Sequence, residues 1–119
     1  MTPDDQQRDT ESKALVDAVH LELRAGFAQS LPGRVDAIRR IVDTLIGSSH
    51  DVQALRDLHA ETHRLAGTSA MYGFTQVSDV VRTFNRELIE RIRDGATHVH
   101  PDVLQSFMTA LTEALQAEG

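Results

Sequence analysis

The chain has no cysteine and no tryptophan, one tyrosine, four phenylalanines and only three prolines in 119 residues. Without cysteine there is no disulfide framework, no thiol nucleophile and no thiolate metal site. The 40% hydrophobic share is carried by Leu, Ala, Val and Ile rather than by aromatics, which favours helices over a β-sandwich. Positive charge is also scarce. Twelve Lys and Arg against eighteen Asp and Glu leave a net charge of −6, so although eleven of the twelve are Arg, the concentrated basic surface that nucleic acid requires is missing. Long apolar runs are missing too: no stretch could span a bilayer, and the polar, acidic opening from Met1 to Lys13 is unlike a signal peptide. A soluble, cytoplasmic protein with no membrane partner and one hydrophobic core is expected.

What the chain does have is helical periodicity. Residues 1–13 offer too little apolar surface to fold and are expected to form a disordered tail, leaving 14–119 as a single helical domain. From Leu15 to Leu45 the apolar residues Val16, Val19, Leu23, Phe27, Leu31, Val35, Ile38, Ile41 and Val42 recur at threes and fours. Pro32-Gly33 reads as a break, yet Phe27, Leu31, Val35, Ile38 and Leu45 keep one phase across it, which a turn would not preserve. The expectation is therefore a long first helix over 20–46, kinked at Pro32, behind a short lead-in helix. Asp51 is a good N-cap for a second helix that buries Leu55, Leu58, Thr62, Leu65, Ser69 and Tyr72 and stops at Gly73. A third helix from Thr75 to about Gly95 presents Val77, Val80, Val81, Phe84, Leu88 and Ile92. A fourth opens at Pro101-Asp102 and presents Leu104, Phe107, Leu111 and Leu115. Short links between amphipathic helices specify an all-α, up-and-down antiparallel four-helix bundle.

One residue stands out against this frame. On a helical wheel His63 lies about 130° from the middle of the second helix's apolar stripe and should face water. Its wheel neighbours Ala60, Ala66, Gly67 and Ala70 are all small, with His59 and Arg56 one and two turns earlier. A mid-helix glycine costs roughly 1 kcal/mol relative to alanine, so Gly67 asks for a reason, such as close approach by another molecule.

The run His63-Arg64-Leu65-Ala66-Gly67-Thr68-Ser69-Ala70-Met71-Tyr72-Gly73-Phe74 resembles the signature of histidine-containing phosphotransfer (HPt) domains, which reads His, any, Leu, Lys, Gly, small, small, two variable, apolar, Gly. The long first helix with Phe27 and the helix spacing extend the likeness over most of the chain. The resemblance implies a phosphocarrier in two-component signalling, not an enzyme. His63 would be the phosphoacceptor, exchanging a phosphoryl group with a histidine kinase or a receiver-domain aspartate. A monomer with no cofactor of its own is expected, the Mg²⁺ residing on the partner receiver domain. A receiver would dock over Arg56, Ala60, Gly67 and Ala70. The chain departs from the family at Ala66, where a lysine that helps hold the phosphoryl oxygens is usual. Folding the second and third helices back about Gly73 and Phe74 sets position 63 level with position 85, which brings Asn85, Arg82 and Arg86 into range, beside His59 and Arg64 on the second helix itself. An imidazole free of perturbing neighbours titrates near pH ~6.5 and is mostly the neutral nucleophile at cytoplasmic pH.

Two other readings use the same residues. His59 and His63, at i and i+4, could chelate a metal, although Glu61 sits one place out of the HExxH spacing and no third ligand is positioned by the sequence. Alternatively the bundle is an adaptor that docks receiver domains without carrying phosphate, for which the missing lysine is the main support.

Overall fold

A computed structural model of the chain describes residues 3–95 and 98–118. Most of them lie in four helices: α1 (Pro3–Gly47), α2 (Val52–Met71), α3 (Thr75–Arg93) and α4 (Pro101–Glu118). The described residues contain no strand. The chain divides into two units, Met1–Ser30 and Leu31–Gly119.

The first unit is the N-terminal part of α1, and here the structure differs from the sequence expectation. Of the anticipated tail, Met1 and Thr2 lie outside the described residues, while 3–13 continue one helix with the anticipated lead-in segment. Gln6, Gln7, Arg8, Glu11, Lys13 and Ala14 are good helix formers, and extending an existing helix avoids the cost of nucleation. The lack of apolar surface shows instead as exposure, since every side chain from Asp5 to Lys13 faces solvent. Leu15, Val16, Val19 and Leu23, expected to face a core, are 45–66% exposed. Their periodicity identified a helix correctly but could not say whether anything covers it. Phe27, by contrast, is buried.

The second unit is the bundle. Pro32 lies inside α1 and does not end it. Leu31, Val35, Ile38, Val42 and Leu45, all 0–2% exposed, form an unbroken core stripe on this part of the helix. Proline removes the amide that Ala28 O would otherwise accept, yet burial of this stripe outweighs one lost hydrogen bond. α2 packs against α3 and α3 against α4, while Arg39 on α1 donates to Thr112 Oγ1 on α4 at 3.4 Å. Five sequence-predicted core positions of this unit lie nearer the surface: Ile41, Tyr72, Val80 and Leu115 are half-buried and Ile92 is exposed, whereas Met108 and Ala114 are buried in α4. Ile92 sits in the last turn of α3, where the stripe runs past the end of its cover.

The turns are built as their residues dictate. Asp51 caps α2, its carboxylate accepting from Ala54 N at 2.9 Å. α2 ends in a Schellman motif: Phe74 N donates to Ser69 O at 2.9 Å, Gly73 N donates to Ala70 O at 3.2 Å, and Gly73 takes φ +81°. The start of α3 has no side-chain cap of its own. Glu118 from the end of α4 supplies one, its carboxylate accepting from Gln76 N at 2.9 Å and Val77 N at 3.1 Å. A negative group at a helix start is favourable both as acceptor and as charge.

Gly73→Ala should lower the unfolding free energy by about 1–2 kcal/mol, because a Cβ opposes the left-handed conformation. Urea denaturation followed by circular dichroism reads this directly, and an unchanged midpoint would show that the turn tolerates another geometry.

Candidate functional site

α2 presents two opposed faces to its surroundings. Leu55, Leu58, Thr62, Leu65 and Ser69 are buried, with Thr62 and Ser69 fully so. Thr62 fits the apolar interior because its hydroxyl donates back to Leu58 O at 2.8 Å. Opposite this stripe His63 is exposed, and so are Ala60, Gly67, Ala70 and Arg56. A Cβ added at Gly67 would meet nothing within 4 Å. The chain itself therefore gives Gly67 no steric reason to be glycine. Ala66 differs from the expectation of an open neighbour: it is only 7% exposed, because it sits between the His63 face and the core, and its carbonyl accepts from Ser78 Oγ on α3 at 3.1 Å.

The register between α2 and α3 is set by two bonded pairs. Ser78 Oγ reaches Ala66 O, and Asn85 Oδ1 lies 2.8 Å from His59 Nδ1. Both pairs are centred on position 72, because the Schellman motif completes the reversal before Phe74. Asn85 is thus level with His59, about one turn short of His63, and the α3 position level with His63 is the buried Val81, with Arg82 next to it. Asn85 is also buried, so it stands behind the exposed face rather than on it. Thr62 Oγ1 comes within 3.2 Å of the same Asn85 oxygen.

The cations expected at the site are held in different ways. Arg64 is exposed and pairs with Glu61 at 3.0 Å, an arrangement typical of a solvated helix face and worth little to stability. Arg82 donates to Ser78 Oγ at 3.2 Å along its own helix, and Arg86 is exposed. The ring nearest His63 belongs to His59, with centroids 6.1 Å apart and planes tilted by 34°. His59 is half-buried between that ring and Asn85.

Sequence reasoning named Asn85 by register but missed its bond to His59 and the Ser78–Ala66 link. A signal was there to be read. Ser78 and Asn85 are seven residues apart on the edge of α3's apolar stripe, and polar groups so placed need partners on the facing helix. As to metal binding, no group of three or more His, Asp or Glu side chains among the described residues is placed to share an ion. The His59 and His63 pair stands without a third ligand, and one nitrogen of His59 is already engaged by Asn85.

An exposed histidine at mid-helix, ringed by alanine and glycine, above a buried polar anchor, is thus the most distinctive constellation on this surface. A family model described as Hpt domain matches residues 22–118, which span all of α2, α3 and α4. The chain belongs to the Hpt family. No individual curated protein matches the chain, and no solved structure does. The family supports a phosphotransfer role in two-component signalling, where Hpt domains act as phosphocarriers that meet kinases and receiver domains. No described helix is long and apolar enough to cross a membrane.

Gly67→Ala should raise the unfolding free energy by roughly 0.5–1 kcal/mol, since alanine is the better helix former and the site has room. Thermal unfolding monitored by circular dichroism is the check, and a fall in midpoint would mean that the glycine serves the bundle rather than a visitor.

Proposed function

We propose that this Hpt domain is a phosphocarrier whose acceptor is His63, receiving a phosphoryl group from a histidine kinase or a receiver-domain aspartate and passing it on. The observation that carries the reading is the exposure of His63 on a rigid helix, beside residues too small to obstruct a partner. In the transfer, the unprotonated ring nitrogen attacks phosphorus in line. The P–N bond forms as the P–O bond to the donor aspartate breaks, and the electron pair of that bond stays on the departing carboxylate. Phosphoryl transfer relies mainly on positioning and charge stabilisation, and the Mg²⁺ that supplies much of the latter belongs to the receiver domain. This chain contributes an accessible nucleophile and a docking surface over Arg56, Ala60, Gly67 and Ala70. It works as a cytoplasmic monomer.

Arg64, Arg82 and Arg86 lie close enough in register to lend positive charge, and arginine suits phosphate through its fork of donors. The adaptor reading keeps the same surface and differs only in leaving His63 unmodified.

His63→Gln should abolish label transfer from a phosphorylated receiver domain while leaving the unfolding midpoint unchanged, because an exposed side chain adds little to stability. Gly67→Trp should cut transfer at least ~10-fold by blocking approach, the loss of a well-packed contact being worth 1.4 kcal/mol or more. Acid-labile, alkali-stable label on His63 is the expected product. Full labelling of His63→Gln would refute the assignment, and binding of the receiver without any labelling would favour the adaptor.

A further inference from the structure

A phosphoryl group on His63 would bring about two negative charges to an exposed helix face, and the nearby donors differ in how well they are aimed at it. Arg64 lies about 100° around the helix from His63 and is engaged by Glu61. Arg56 is two turns away, and Arg82 is bonded along its own helix to Ser78. His59 alone shares the face one turn from His63, with its ring centroid 6.1 Å from that of His63. Of these side chains it is also the one gripped from behind by a buried group on the facing helix. Asn85 Oδ1, 2.8 Å from His59 Nδ1, can only accept, so Nδ1 must carry the proton. Nε2 is then the nitrogen left for a ligand.

We propose that His59 is a second histidine of the site, one that clasps the phosphoryl group carried by His63. The inference rests on the carrier reading above and assigns the charge that reading needs. Nδ1–H stays anchored on Asn85, while Nε2 takes up a proton from solvent and donates it in a hydrogen bond to a phosphoryl oxygen. When the phosphoryl group leaves, that proton returns to solvent. The charged groups around His59 are Arg56 and His63 on α2, and Arg82 and Arg86 in the turns of α3 about Asn85. A phosphoryl dianion on His63 would favour a second proton on the ring, as an opposite charge close by does. His59 thereby becomes a cation when there is an anion to hold. Asn85 is a positioning residue in this scheme, fixing the tautomer and the ring.

The test uses the whole chain with ¹⁵N-labelled histidine, charged with phosphoramidate. This small donor needs no partner protein, its own P–N bond breaking to release ammonia as the new one forms. Before charging, the His59 resonances should show the Nδ1–H tautomer. After charging, the His59 titration should move to higher pH, and phosphohistidine at position 63 should hydrolyse about tenfold faster in His59→Leu, with His59→Arg restoring most of the lifetime. The titration shift needs no variant, so it stands even if His59→Leu folds poorly. Phosphate on His63 with an unmoved His59 titration and an unchanged lifetime in His59→Leu would overturn this inference alone. Label on other exposed histidines but none on His63 would remove the carrier reading and this inference with it.

Discussion

Antiparallel packing of α2 on α3 buries Leu58, Thr62, Leu65 and Ser69 together with Val77, Val81, Phe84 and Leu88, and the azimuth of every other residue on α2 follows from that seam. Apolar burial supplies the bulk of the energy but is non-directional, so it does not choose a register by itself. The two polar pairs do. Each joins a donor on one helix to an acceptor on the other, and a slip of one turn would leave buried oxygens unpaired. With the register fixed, His63 has no freedom to turn inward.

The ends of the helices reinforce the same arrangement. The glycine in left-handed geometry after α2 allows the chain to reverse within three residues, and the α4 carboxylate that caps α3 ties the last helix to the first turn of the third. Distant segments of the chain therefore hold the helix that carries Asn85, and Asn85 holds His59. Stability and candidate chemistry share one set of contacts, whereas the exposed face of α2 has almost none. Small side chains and a glycine with open space around it add nothing to folding there. On the proposed reading they leave room for another protein.

Against this background the residue at position 66 takes on a specific meaning. The usual family lysine is replaced by an alanine that is largely buried and whose backbone carbonyl accepts from Ser78 on α3. On the proposed carrier reading, charge for a phosphoryl group comes from elsewhere on the surface, and the surroundings of His63 offer one imidazole bonded to Asn85 and several arginines.

Much of this was legible in the order of residues. Period-3.6 patterning located the helices, Asp51, Gly73 and Pro101 marked their ends, and the wheel turned His63 outward, because each of these depends on neighbours within a few positions. The helical state of residues 3–13 was not legible. Low apolar content argues against a core, but it does not forbid a helix that only needs to be extended. Nor did the sequence reveal that the stripe from Leu15 to Leu23 stays exposed, that Glu118 caps α3, or that Asn85 secures His59. Those depend on which segments meet in space, and burial and hydrogen bonding between residues more than twenty positions apart are decided only when the helices dock.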